Sequence, residues 1–404
     1  MIALPEIPTQ RIAVKLNPKA EILVKKGHPW IFDKSITKQN KPAKAGDLAI
    51  IFNQKDNKFL AVGLLDPSSP IRIKILQANK SANINTDWFK NKIQEAYNKR
   101  IPLLKPNTNS YRLIYGENDN LPSFIVDVYN KVLVIKLYSN IWLPYLKEII
   151  PHLIEVSKTE TVVLRLSRNT LKEGNKHGLE DGQIIHGNLD NPVVVFKEHG
   201  VNFSANVIKG HKTGYFLDHR HNRKTVGKLA KNKTVLDVFS YAGGFSVHAL
   251  AGEATEVTSL DISAQALEIA KQNAKLNKFK GKHHIIVGDA FDKLEKLIDE
   301  NKKFDVVVID PPSFAKSKAE IDGAIKSYAS LTKLGLKLVA KKGILVMASC
   351  SSRVEADTFY ELVLATAYNS NRKFDVINKT QHDIDHPISF KEGAYLKTIY
   401  LQMH

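Results

Sequence analysis

The chain has a single cysteine, Cys350, set in Ala348-Ser-Cys-Ser-Ser352 with polar neighbours on both sides. A lone cysteine is more often a small buried apolar side chain than a reagent, but hydroxyl neighbours do not suit a core position. As a thiolate it is a nucleophile. It could add to C6 of a pyrimidine and turn C5 into an enamine-like carbon able to take an electrophile. Upstream, Asp310-Pro-Pro-Ser-Phe314 joins an acid to two stiffening prolines and an aromatic ring. In that order Asp310 can protonate or hydrogen-bond N3 of a base, while Pro311, Pro312 and Phe314 frame and stack on the ring. The competing explanation is a rigid turn leaving a strand. Loss of the C5 proton and elimination of the thiol would close such a reaction. A base inside a duplex is out of reach, so the target must be single-stranded or flipped out.

These groups can cooperate only if one scaffold holds them on a common rim. From about residue 190 apolar runs and helical patterns alternate, predicting strands over 234–239, 256–260, 284–287, 306–309 and 344–348, then 374–378 and 396–402. Runs without polar interruption, such as Val306-Val-Val-Ile309, suit strands covered on both faces. The segment 264–276 reads as a helix with Leu267, Ala270 and Ala274 on one side and Ser263 as its N-cap. Strand–helix alternation with a closing hairpin predicts an open, doubly wound, mostly parallel sheet.

In such a sheet a ligand lies beyond the carboxyl ends of the strands. The first strand runs into Leu236-Asp-Val-Phe-Ser-Tyr-Ala-Gly-Gly-Phe-Ser246, where Gly243 and Gly244 allow a sharp turn and a close approach. The second ends at Asp261, placed to accept from ribose hydroxyls, and the third at Asp289, placed to accept from an adenine amino group. The fourth ends at Asp310. Each acid alone is more often a helix cap, but Asp237, Asp261, Asp289 and Asp310 in register form a pattern. The G-x-G-x-x-G of dehydrogenases is absent. The spacing resembles class I S-adenosylmethionine-dependent methyltransferases, with Phe239 and Tyr241 where the usual glycines of that class would fall.

The rest of the chain divides by composition. Residues 1–80 hold short β-like runs between Gly, Pro and Asn turns, predicting a small β-barrel, and carry 14 basic against 6 acidic side chains. Residues 81–190 predict a helix over 83–100 ended by Pro102 and Pro106, a hairpin turning at Asn130, a helix over 142–156 and a strand over 161–166, a small α+β domain. The methyltransferase domain takes 191–404. The formal charge of +18 favours polyanions, since each neutralised phosphate releases counterions; a Lys-rich soluble surface explains it equally. No apolar stretch has the roughly 18 residues that a membrane helix needs. Residues 1–10 lack a signal-peptide layout, so a cytoplasmic protein without membrane attachment is expected.

With these residues in view, the chain resembles the ribosomal RNA large-subunit methyltransferase I family over nearly its whole length. Gly27-His-Pro-Trp-Ile-Phe32 matches the family's N-terminal PUA domain, an RNA-binding β-barrel, and Tyr115-Gly-Glu-Asn-Asp-Asn-Leu-Pro122 its central domain. Lys212-Thr-Gly-Tyr-Phe-Leu-Asp-His-Arg220 matches the segment that helps enclose the cofactor, which brings in Asp218 and Arg220. Asp310-Pro-Pro-Ser-Phe-Ala-Lys316 and Ser349-Cys-Ser351 match the catalytic loops, adding Lys316 to the substrate side.

The resemblance implies S-adenosylmethionine as cofactor and 5-methylcytosine in 23S ribosomal RNA as product, on a large-subunit precursor or naked RNA. It leaves a homodimer open. A related branch methylates guanine and lacks the cysteine. Other RNA cytosine methyltransferases carry a second cysteine where this chain has Pro312, so the base that removes the C5 proton is unnamed. Two further functions stay open: methylation of a guanine or adenine nitrogen with Cys350 a bystander, and a non-catalytic RNA-binding assembly factor. His382 and His386 read as a loop rather than a metal site, and no metal is expected. Lys172, Lys176, His177 and Arg353 are undecided between RNA contact and solvated surface.

Overall fold

The computed structural model describes residues 2–105 and 107–404. Met1 and Pro106 lie outside the described residues, and with Pro106 one of the two prolines expected to end the first long helix. The other, Pro102, does not end it: helix Thr86–Leu104 carries Pro102 in its last turn. A proline there forgoes one hydrogen bond, and the turn still buries Leu103. The chain forms two compact units. One takes the chain through Lys197 together with Ser204–Leu217 and Ile384–Lys391; the other takes Glu198–Phe203, Asp218–Asp383 and Glu392–His404.

The first unit contains a six-stranded sheet in the order Trp30–Phe32, Ile71–Ala78, Phe59–Leu65, Leu48–Phe52, Arg11–Leu16 and Ile36–Gln39. Its two end strands are consecutive in sequence, separated only by the 3-10 turn Asp33–Ser35. So short a connection requires the sheet to curl until its ends approach, which is barrel closure. Helix Pro18–Lys25 was not expected from the sequence. It buries only Ala20 and Val24, too little for a periodic signal, although Asn17 caps it by accepting from the Ala20 amide and Pro18 opens it.

A second sheet of five strands orders Gln183–His186, Thr161–Leu166, Val132–Leu137, Phe124–Tyr129 and Ser110–Tyr115. Its hairpin turns at Asn130 with φ 55°, a left-handed conformation that Asn tolerates. The helix expected over 142–156 starts as a 3-10 segment, Asn140–Tyr145, and becomes α-helical only over Leu146–Ser157. Pro144 within the first segment cannot donate to a regular first turn. Buried forks tie this unit together: Arg112 meets both oxygens of Asp127 at 2.8 Å, and Arg100 spans Asp119 at 2.9 and 2.5 Å. Asp385 joins them, accepting from the Arg112 amide at 2.9 Å while its carbonyl accepts from Arg100 at 3.2 Å.

The second unit is built on a seven-stranded sheet: β1 (Thr234–Val238), β2 (Glu256–Asp261), β3 (Lys282–Val287), β4 (Phe304–Ile309), β5 (Val339–Ser349), β6 (Phe374–Thr380) and β7 (Lys397–Met403). The order is β3-β2-β1-β4-β5-β7-β6. β1 to β5 run parallel and β7 lies antiparallel between β5 and β6. β1 stops one residue short of the expected end because Phe239 turns to φ 62° and leaves the extended region. The connecting helices include α1 (Arg220–Leu229), α2 (Gly244–Ala251), α3 (Ala264–Lys275), α4 (Ala290–Asp299), α5 (Ile321–Leu338) and α6 (Ala356–Tyr368). α1 had no apolar stripe to announce it, since its inward face includes Arg220, Asn222 and Arg223. Those charges meet Glu198, which is fully buried, forked by Arg223 at 2.7 Å on each oxygen and reached by His248 Nε2 at 2.9 Å.

Candidate active site

The loop after β1 is a backbone cradle. Phe239 and Tyr241 both take left-handed φ, 62° and 47°, so the chain follows a path that glycine adopts without strain. Non-glycine residues bear a cost of about 1 kcal/mol each for that path. Tyr241 N–H donates to Asp261 Oδ2 at 2.9 Å, and Ser263 N–H to Oδ1 at 2.9 Å, so the acid ending β2 fastens the β1 loop. Asn273 of α3 donates to the Ala242 carbonyl at 2.9 Å. Gly243 has φ +77°, and a Cβ there would lie 2.8 Å from the Ala270 Cβ. Gly243→Ala is therefore expected to push the loop off α3, destabilising the fold by about 1–3 kcal/mol and weakening nucleoside binding tenfold or more. Thermal melts and calorimetry would read both, and wild-type affinity would refute the cradle.

Asp237 supplies the test of whether this pocket suits a ligand. Its Oδ2 accepts from Ser246 N–H at 3.0 Å and Ser246 Oγ at 2.7 Å. Its Oδ1 is buried with no hydrogen bond, as is Ser240 Oγ. A buried acceptor without a donor is costly, and a ligand bringing N–H or O–H groups would satisfy it. Burial pushes the Asp237 carboxyl up to about 7, with Ser246 working in the opposite direction. A ligand that donates to the ionised form lowers this value on binding. Affinity is then expected to climb as pH rises towards about 7 and to level above it. Titration calorimetry at about pH 6 and about pH 8 checks this, and Asp237→Asn should flatten the profile.

Asp289 caps α4, its Oδ1 accepting from Phe291 N–H at 2.8 Å and Asp292 N–H at 3.3 Å, and it stands exposed at the end of β3. Asp218 is buried and accepts from Tyr395 Oη at 2.8 Å. Arg220 is fully buried, 3.4 Å from Asp383 Oδ2 and 3.9 Å from Glu198 Oε2.

The residues singled out for chemistry follow β4 and β5, which pair Ile309 with Met347. Asp310 N–H reaches back to the Val238 carbonyl at 3.4 Å. The half-buried Cys350 places Sγ 3.7 Å from the Pro311 carbonyl oxygen. Pro311 is buried, whereas Pro312 and Lys316 are exposed, the Lys316 N–H donating to Glu320 at 2.7 Å. Phe314 is half-buried, edge-on to Tyr328 at 5.2 Å between centroids, and Tyr328 Oη accepts from Ser349 Oγ at 2.9 Å.

Three polar residues of this region went unread. His219 Nε2 lies 3.3 Å from Asp310 Oδ1, and Asn222 Nδ2 donates to His219 Nδ1 at 3.1 Å. Asn222 Oδ1 in turn accepts from Tyr400 Oη at 2.8 Å and Thr380 Oγ1 at 2.6 Å. Burial opposes charge on His219, but the adjacent Asp310 carboxylate lifts its pKa above the usual imidazole value. The third is Lys397, opposite Ser349 in the β5–β7 pair. His219 lay between the two selected residues Asp218 and Arg220; for Asn222 and Lys397 the sequence carries no signal. Of the histidines set aside, His382 Nε2 accepts from the Tyr395 and Leu396 amides at 3.0 Å each. His386 Nδ1 lies 2.8 Å from Asp385 Oδ1. Among the described residues no helix is long and apolar enough to cross a membrane.

The family model for S-adenosylmethionine-dependent methyltransferases matches residues 187–374, and that for PUA-like domains matches residues 14–78. A Deinococcus radiodurans protein named ribosomal RNA large subunit methyltransferase is 40% identical, the match covering 99% of both chains. A Tolumonas auensis ribosomal RNA large subunit methyltransferase I is 35% identical over 96% of this chain and 98% of its own. Among solved structures, a methyltransferase crystallised with SAH shares the fold at a TM-score of 0.80 and 20% identity, covering 98% of this chain and all of that one.

Proposed function

Because the chain belongs to the ribosomal RNA large subunit methyltransferase I family, an S-adenosylmethionine-dependent one, we propose that it methylates C5 of a cytosine in 23S ribosomal RNA through a covalent Cys350 adduct. The observation supporting this reading is Cys350 itself, half-buried at the end of β5 with Sγ 3.7 Å from the Pro311 carbonyl and so beside Asp310. S-adenosylmethionine, when bound, supplies an electrophilic methyl group. Asp237, the left-handed loop of Phe239 and Tyr241, Gly243, Asp261, Asp289 and Asp310 would hold it. Asp218 lines the same site, and Arg220, enclosed by Asp383 and Glu198, acts by fixing the position of α1.

The Cys350 thiolate forms a bond to C6, and the C5–C6 π pair moves to C5, which takes the methyl group. The Asp310 carboxyl passes a proton to N3, drawing electron density towards the ring nitrogen as C6 is attacked. A base then removes the C5 proton, the pair restores the C5–C6 double bond, and the C6–S bond breaks to return the thiolate. Pro311 and Pro312 stiffen the loop, Phe314 supplies an aromatic wall and Lys316 a cation for phosphate. The basic N-terminal sheet binds the RNA, as the bias of 14 basic to 6 acidic side chains over residues 1–80 favours. On this reading the chemistry takes place in the cytoplasm.

Mass-spectrometric mapping of 23S ribosomal RNA from a deletion strain tests the whole reading. The expected result is one missing 5-methylcytosine, restored by the wild-type gene. Loss of a methylated guanine or adenine would replace cytosine chemistry with nitrogen methylation. An unchanged methylation map would leave a non-catalytic assembly factor.

A further inference from the structure

Lys397 is only 2% exposed, on a strand at the interior of the sheet. Its ammonium donates to the Ser351 carbonyl, to Val354 O at 2.5 Å and to Tyr395 O at 3.1 Å. Among the described residues no carboxylate lies within ion-pair distance of it. A buried ammonium served only by neutral carbonyls is expensive, because three dipoles do not replace bulk water or a countercharge. Burial accordingly pushes Lys397 down to about 8, and charge on Cys350 is what works to raise it. The geometry explains the relation. Lys397 pairs in register with Ser349, and its ammonium grips the carbonyls on the far side of Cys350, so the turn carrying the thiol is wrapped around the cation.

We propose that Lys397 is a positioning residue whose buried positive charge holds Cys350 as a thiolate and fixes the turn that presents it. Three groups in this part of the site do not substitute for it. Asp310, from the loop after β4, brings no positive charge, and Tyr328, from α5, is kept a neutral phenol by burial. The Pro311 carbonyl, at 3.7 Å from Sγ, is near van der Waals separation and holds the protonated thiol weakly. The inference rests on the proposed adduct for its purpose, but the ion pair is measurable without RNA.

Because Cys350 is the only cysteine, iodoacetamide alkylation of the full-length protein reads one thiol. The thiolate displaces iodide, a carbon–sulfur bond forms, and the mass increment reports the rate. In the wild type the pH midpoint of that rate is expected below the ordinary thiol value of about 8.5. Lys397→Gln keeps a donor for the carbonyls and removes the charge. It should move the midpoint up by about one unit and slow alkylation at about pH 7 roughly tenfold, while Lys397→Arg should stay near the wild type. A wild-type midpoint at or above the ordinary value overturns the proposal without recourse to any variant. So does an unchanged midpoint in a Lys397→Gln protein that melts like the wild type. A low midpoint together with an active Cys350→Ala enzyme would keep the ion pair and reject the adduct; an ordinary midpoint with an inactive Cys350→Ala enzyme would do the reverse.

Discussion

Cys350→Ala is expected to abolish methyl transfer to RNA, by a factor on the order of 10⁴ or more, while S-adenosylmethionine binding stays within twofold of the wild type. The size follows from the chemistry. C5 of cytosine is a poor nucleophile, and addition of sulfur at C6 is what makes it reactive; no neighbouring side chain can take that place. Pro311 and Pro312 have no nucleophilic atom, Asp310 is engaged with His219 at 3.3 Å, and Ser349 Oγ is buried and bonded to Tyr328 at 2.9 Å. Cys350→Ser should fare little better, since an alcohol is not ionised near neutral pH. Transfer of labelled methyl groups to a 23S transcript measures the rate and calorimetry the binding. A Cys350→Ala enzyme turning over at the wild-type rate would make the cysteine a bystander and move the reaction to a ring or amino nitrogen.

Glu198→Ala is expected to destabilise the second unit by about 3–5 kcal/mol. Glu198 is fully buried and answers Arg223 through two bonds of 2.7 Å and His248 at 2.9 Å, with Arg220 at 3.9 Å. Its removal leaves two enclosed guanidinium groups facing an apolar hole. Glu198→Gln, which keeps one acceptor, should cost less. Burial works to raise the Glu198 pKa, but Arg223 and His248 win and hold it well below the usual carboxylate range. The unfolded value is 4.5, so this contribution is complete above it and is lost as pH falls through the lower folded value. Urea titrations at neutral and acid pH measure both effects. A Glu198→Ala protein as stable as the wild type would show that the cluster is not what anchors α1.

The parts legible in the sequence were those whose physics is local. Strands such as 306–309 are covered on both faces and therefore read as unbroken apolar runs, and Ser263 announces α3 because a cap is set by neighbours in the chain. The places of Asp237, Asp261, Asp289, Asp310 and Cys350 along the sheet's carboxyl rim were legible because each lies within two residues of a strand's end. The loop after β1 was a harder case. Its side chains depart from the glycines of the methyltransferase pattern, yet Phe239 and Tyr241 keep left-handed backbones, a conformational fact that residue identity conceals. α1 and the helix Pro18–Lys25 were missed because one turns charges inward and the other buries only two residues. Lys397 and Asn222 were out of reach for another reason. Their roles follow from the pairing of Ser349 with Lys397 and from bonds to Tyr400 and Thr380, tertiary facts without a local signature.

The membership of Ile384–Lys391 in the first compact unit bears on how this protein can be divided. Asp385 in that segment receives the Arg112 amide, and Phe390 packs edge-on against Trp30, whose indole N–H is held by Glu117 at 3.0 Å. A gene fragment stopping at Lys197 would lack these pieces, and one starting at Glu198 would carry them as loose ends. The polypeptide is plaited, crossing from one unit to the other and back before it finishes. Each unit draws on separated stretches of the chain, so recombination or truncation at the apparent midpoint would leave neither unit whole.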